Sequence, residues 1–217
     1  MPFRDRSDAG RRLGKALKRR RLRRPIVFAL PRGGVPVAAE VCAALDAPLD
    51  LVFARKIGVP IAPELAMGAI GEGGEPVRNE DVIALMGVTE AQFAAVCGRE
   101  RREIVRRRRR YLGDRAPAEV ADRTAIVIDD GIATGATMRA ALLAVRARQP
   151  RKVVLAIPVA QASTLEELAA DADDIVCLEE HELFDSIGAF YRDFTQVADQ
   201  EVVALLARHA PTPRARR

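Results

Sequence analysis

The sequence predicts an α/β fold: a mainly parallel, twisted sheet flanked by helices. Three observations predict it. Apolar runs of strand length alternate with helical segments from residue 26 to residue 178, the pattern of successive βα units. One run, Ala125-Ile126-Val127-Ile128, ends in two acids and a turn rich in Gly and Thr, and open α/β sheets bind ligands at that edge. Hydrophobic residues fill 49% of the 217 positions, enough for the core of one domain.

The elements follow in chain order. Residues 3–23 read as a helix, with Leu13 and Leu17 on one face. Residues 26–30 form an apolar run between Pro25 and Pro31 and read as a buried strand. The turn Pro31-Arg32-Gly33-Gly34 leads into a helix over 35–45, with Pro36 suited to its first turn. Residues 49–54 read as a second strand. From 55 to about 75, Gly and Pro are dense, which suggests a loop or a short β-excursion. Thr89 and Gln92 have capping-box spacing at the start of a long helix that runs to Leu112. Strands are then expected at 125–129, 153–159 and 175–178, helices at 137–148 and 164–172, and a closing helix at 199–208. No internal repeat or interdomain linker is visible, so a single domain over 1–217 is expected.

Charge and composition exclude several classes. The net charge is +5, but residues 1–24 carry 11 basic and 2 acidic side chains, and residues 99–110 carry 8 arginines and 2 glutamates. Residues 208–217 add four arginines, so the remaining body is acidic. The basic pI is therefore not a whole-domain nucleic-acid signature. Cys42, Cys97 and Cys177 are odd in number and widely spaced, and His181 and His209 are the only histidines. Neither a disulfide framework nor a zinc site is supported. No run approaches the roughly 18 apolar residues of a membrane span. The N-terminus lacks a signal-peptide core, so a cytoplasmic protein without membrane association is the expectation.

The loop Ile128-Asp129-Asp130-Gly131-Ile132-Ala133-Thr134-Gly135-Ala136-Thr137 carries the chemistry. Glycines let backbone approach an anion closely. N–H groups at a helix N-terminus favour a phosphate, and the threonine hydroxyls add donors. Paired carboxylates suit a sugar diol, or a hydrated Mg²⁺ held through water. The spacing describes a ligand with a phosphate at one end and a diol beside it. It is not a Walker loop, because no G-x-x-x-x-G-K-[ST] occurs.

This string resembles the 5-phosphoribosyl-1-pyrophosphate (PRPP) motif of type I phosphoribosyltransferases: apolar residues, two acids, small residues, then Thr-Gly-x-Thr. The resemblance implies that Asp129 and Asp130 hold the ribose hydroxyls and bind Mg²⁺ through water. It implies that Ala133 to Thr137 wrap the 5′-phosphate. Members acting on hypoxanthine and guanine carry an aspartate where Ala133 stands, and adenine enzymes carry alanine, so the acceptor is left open. Arg32, Gly33 and Gly34 are similar to the family's pyrophosphate loop, and Arg55-Lys56, read as ending the second strand, to cations near the leaving group. With residues 30–36, the segment 63–71 resembles a bacterial subfamily of unassigned acceptor. That likeness covers nearly the whole chain, including Phe3-Arg4-Asp5-Arg6. By the same resemblance, residues 179–198 are a candidate hood over a base, with Phe184, Phe190 and Tyr191 as stacking candidates and Asp193 as a weaker metal candidate.

These features lead to an expected Mg²⁺-dependent phosphoribosyltransferase of nucleotide metabolism, with PRPP and a nitrogenous acceptor, in the first place a nucleobase, as substrates. Asp129, Asp130, Lys56 and Arg32 would carry catalysis. Segments 56–80 and 99–115, within a flexible loop and inserted helix over 55–115, are lid candidates. The alternative is a non-catalytic PRPP-sensing or RNA-binding regulator on the same fold. A homodimer is plausible on this reading. The five arginines at 106–110 point all round a helix and leave three readings open: a solvated projecting helix, an acidic or nucleic-acid partner, or a flap bringing a cation to pyrophosphate. Aromatics nearby are few, Phe93 and Tyr111, which argues against base stacking.

Overall fold

A computed structural model describes residues 2–210; the basic run beyond them lies outside the described residues. The fold is the expected α/β one. Strands β1 (Ile26–Ala29), β2 (Leu49–Leu51), β6 (Thr124–Ile128), β7 (Lys152–Gln161) and β8 (Asp174–His181) form a sheet in the order β2-β1-β6-β7-β8. Every pairing in it is parallel. The chain winds outward from β1 in one direction and from β6 in the other. The C-terminal ends of β1 and β6 therefore flank the topological switch point, where such sheets bind ligands.

Side chains alternate across this sheet with the period of two that strands impose. Val27, Ala29, Ile126, Ile128, Val154 and Ala156 face one core, which holds Leu13 and Leu17 of α1 (Arg6–Lys18) and Val37, Ala38 and Val41 of α2 (Gly34–Leu45). Ile26, Phe28, Ala125, Val127, Val153 and Leu155 face a second core. It holds Met138, Leu142 and Val145 of α5 (Ala136–Arg146) and Leu165 and Leu168 of α6 (Ala162–Leu168). Because both faces are covered, the strands read as unbroken apolar runs. Among the described residues, no helix is long and apolar enough to cross a membrane.

The structure corrects two local expectations and decides a third. The first helix covers Arg6–Lys18, not 3–23; Phe3 instead bridges to Tyr191. The second strand stops at Leu51, so Arg55 and Lys56 do not end it. They lie on β3 (Ala54–Val59), which pairs antiparallel with β4 (Ala62–Gly71), itself paired with β5 (Val77–Arg78). Of the two readings of the Gly- and Pro-dense segment, the β-excursion holds: it is largely a three-stranded sheet, with register shifts at Gly58. A short helix, α3 (Glu80–Leu85), follows it, capped by Asn79.

Helix α4 (Glu90–Leu112) has the capping box read from Thr89 and Gln92. It does not project. Phe93, Val96, Cys97, Ile104 and Leu112 are buried along its inner stripe, and it packs on β3, β4 and α7 (Asp199–Arg208).

Candidate active site

Two turns meet at the switch point. The turn after β1 carries Gly33 and Gly34; the turn after β6 carries Asp129 and Asp130. A Cβ built on Gly33 would sit 2.1 Å from Asp130 Oδ2, and one on Gly34 would sit 2.7 Å from the Ile128 carbonyl and 2.9 Å from Asp129 Cα. Gly33 has ordinary right-handed backbone angles, so its glycine is a requirement of space. The two turns can nest only because neither residue has a side chain. The peptide bond between Pro31 and Arg32 is cis.

The two acids have different settings. Asp130 is buried at 9% exposure. Its Oδ2 accepts from Arg6 Nε at 2.7 Å, and its carbonyl accepts from the Tyr191 hydroxyl at 2.6 Å. Arg6 is itself held, donating to the Thr195 carbonyl at 2.8 Å and lying 3.8 Å over the Phe194 ring. Asp129 is half-buried, and its Oδ1 accepts from the Asp130 N–H at 2.9 Å. It lines a crevice of about 80 Å³ with Pro31, Arg55, Arg107 and Thr137. Burial and the adjacent Asp130 charge push the Asp129 carboxyl well above its ordinary range.

The rest of the loop forms the rim. Gly131 packs under Ile187, where an added Cβ would come within 2.4 Å of its Cγ2. Ile132 is buried, and its N–H donates to the Val159 carbonyl. The Ala133 carbonyl accepts from the Thr164 hydroxyl at 2.6 Å. Gly135, at φ +70°, is the N-cap of α5, and among the described residues no side-chain cap hydrogen bond is made there. Its first-turn N–H groups are therefore available to an anion. Thr134, Gly135 and Ala136 face a cleft of about 410 Å³ that Arg78 and Arg139 also line. Thr137 faces a second cleft, of about 430 Å³, with Arg55, Lys56, Arg99 and Arg107.

Three cations of the site stand beside carboxylates. Arg55 pairs with Glu100 at 2.8 Å. Lys56 pairs with Glu64 at 3.1 Å, and the Glu64 side chain is fully exposed. Arg32 lies 3.7 Å from Asp199. Asp199 also takes the Tyr111 hydroxyl and Arg110.

Two sequence expectations are redirected. Tyr191 is not a stacking surface: its ring is buried, tilted against Phe3 at 5.3 Å between centroids, and its hydroxyl buttresses Asp130. Burial also raises its phenol pKa. Asp193 is not brought to the acidic pair; its Oδ1 accepts from the Thr195 N–H and hydroxyl at an exposed turn. Phe190 stays half-buried, 5.0 Å from Phe184 and 4.6 Å from His181. Sequence reasoning gave Arg6 and Arg107 no individual role. The signal for Arg6 was its place in Phe3-Arg4-Asp5-Arg6; nothing local distinguished Arg107 from its neighbours.

Among the described residues, no three His, Cys, Asp or Glu side chains could together hold a metal ion. With Asp130 Oδ2 taken by Arg6, the acids fit a hydrated Mg²⁺ shared with a phosphate ligand better than a protein cage.

Comparison with known proteins bears on the family and the fold. The family model described as "Phosphoribosyl transferase domain" matches residues 7–194. Mycobacterium tuberculosis proteins named "Putative phosphoribosyl transferase" are 46% identical over 206 residues, 95% of this chain and 46% of theirs. The chain thus spans about half the length of the curated relatives it matches. The crystal structure of TT1426 from Thermus thermophilus is 42% identical, covers 97% of this chain and 100% of its own, and superposes with a TM-score of 0.81. A structure from Aquifex aeolicus, 13% identical with a TM-score of 0.50 over 84% of this chain and 78% of its own, shares the fold alone.

Proposed function

The chain belongs to the phosphoribosyl transferase family, and on that basis we propose that it displaces pyrophosphate from C1 of PRPP with a nitrogenous acceptor, in the first place a nucleobase, in a Mg²⁺-dependent reaction. The observation that carries the reading is the nesting of the two turns: Gly33 stands against the Asp130 carboxylate, which supports a diphosphate and a ribose bound side by side.

The chain's own groups divide the work. Uncapped N–H groups at Gly135 to Thr137 take the 5′-phosphate. Asp129 and Asp130 orient the ribose hydroxyls. As the bond from C1 to the pyrophosphate oxygen breaks, positive charge grows on the ribose ring and negative charge on the leaving group. The carboxylates offset the first. Arg55, Lys56 and Arg32 offset the second by exchanging Glu100, Glu64 and Asp199 for phosphate oxygens. Bound Mg²⁺ would shield the diphosphate charge. The acceptor nitrogen bonds to C1 and its proton leaves to solvent, since Ala133 offers no base. The β3–β4 hairpin is suited to cover the site and exclude water.

The test is PRPP-dependent pyrophosphate release across a panel of bases, with RNA binding measured in parallel. Asp130→Ala should abolish turnover and leave the chain folded. Full activity in that variant refutes the assignment. Salt-sensitive RNA affinity without turnover favours a regulator.

A further inference from the structure

Five consecutive arginines occupy 106–110, and at about 100° per residue they leave α4 in five directions. Their surroundings differ accordingly. Arg106 is exposed at 61% and pairs with Glu103 at 2.7 Å. Arg108 pairs with Glu72 at 2.8 Å, tying α4 to the end of β4. Arg110 pairs with Asp199 on α7. Arg109 is exposed, with no ion pair to a described residue.

Arg107 is different. It lies three residues past Ile104 and eleven past Val96, both buried, and so occupies the inner stripe of the helix. It lines the same two cavities as those neighbours, Val96 the cleft and Ile104 the crevice, but brings a charge where they bring apolar surface. It lines both the cleft that holds Arg55 and Lys56 and the crevice that holds Asp129 and Thr137. Its ion pair to a described residue uses Nε alone, 2.9 Å from Glu103, a carboxylate shared with Arg106. The terminal guanidinium nitrogens have no hydrogen-bond partner among the described residues. A half-buried fork with free donors, beside a second arginine and a lysine, is arranged for a multivalent anion.

We propose that Arg107 is a ligand-binding residue whose ligand is a diphosphate group. Resting on the reading above, that group is the pyrophosphate arm of PRPP. Of the five arginines at 106–110, Arg107 thus faces the site, while Arg106, Arg108 and Arg110 anchor or solvate the helix.

Calorimetry on the full chain with Mg²⁺ tests this, using inorganic pyrophosphate, PRPP and ribose 5-phosphate as probes. Arg107→Gln should weaken pyrophosphate and PRPP about ten-fold to a hundred-fold, the range for losing charge-assisted hydrogen bonds. Ribose 5-phosphate should change by no more than about two-fold, and Arg106→Gln should leave all three unchanged. If Arg107→Gln does not fold, Arg107→Met, which keeps the bulk of the stem, carries the same expectation. Unchanged pyrophosphate affinity in the folded variant overturns the proposal. So does an equal loss of ribose 5-phosphate, or an equal loss in Arg106→Gln. A wild-type chain that binds neither PRPP nor pyrophosphate overturns the phosphoribosyl reading along with it, whereas wild-type binding with an indifferent Arg107→Gln removes Arg107 alone.

Discussion

Gly33→Ala is the smallest change that separates a steric account of this site from a chemical one. The added methyl would lie 2.1 Å from Asp130 Oδ2, 2.6 Å from its Cγ and 3.0 Å from its Oδ1. Carbon and oxygen need well over 3 Å, so something must move by about 1 Å. Asp130 is short and cannot swing freely, because Arg6 grips Oδ2 at 2.7 Å and Tyr191 fixes the carbonyl. Overpacking of this kind costs about 1–3 kcal/mol. For a chain of this size that lowers Tm by about 2–4 °C per kcal/mol, or roughly 2–12 °C in all. The backbone angles at Gly33 suit alanine, so strain adds nothing.

A double-mutant cycle with thermal or urea melts gives the decisive readout. The three nearest atoms to the new methyl all belong to the Asp130 side chain beyond Cβ. In an Asp130→Ala background those atoms are gone, and Gly33→Ala should be close to neutral. An equal cost in both backgrounds would falsify the claim that this glycine exists to admit the carboxylate. PRPP binding should fall in Gly33→Ala even where most of the chain remains folded.

Arg6→Gln should destabilise by about 2–4 kcal/mol in urea, since it leaves the Asp130 carboxylate buried without its cation; a loss below about 0.5 kcal/mol would show that Arg6 is not holding it. Glu103 is held at about 2, down from 4.5, by hydrogen bonds from Arg106 and Arg107. A depressed carboxylate contributes stability that is present above the unfolded value and lost as pH falls toward the folded one. The Tm gap between wild type and Glu103→Gln should therefore be largest near neutrality and close as pH drops from 4.5 toward 2; a gap independent of pH refutes this. The thiols offer a last check: Cys42 and Cys97 are buried, and burial raises the half-buried Cys177 to about 11. A neutral disulfide reagent should label all three slowly until the chain is unfolded, and prompt labelling of Cys177 would contradict its setting.

The sequence by itself determined what is local. The strands after 25, 124 and 152, the capping box at Thr89 and Gln92, and the acid-glycine-threonine loop all follow from periodicity, turn chemistry and a short motif. Those signals act over a few residues, and burial on both sheet faces made the strands apolar throughout. Tertiary structure decided what joins distant residues. Arg6 reaches Asp130 across 124 positions and Tyr191 reaches it across 61, and no local pattern encodes either. It also decided between the loop and the β-excursion that the segment after residue 55 left open, because the pairing between strands that makes the β3–β4–β5 sheet is invisible in glycine and proline density. Five identical arginines were equivalent in the sequence. Packing of α4 on β3 and β4 made them unequal, placing Arg107 alone of the five in the crevice with Asp129.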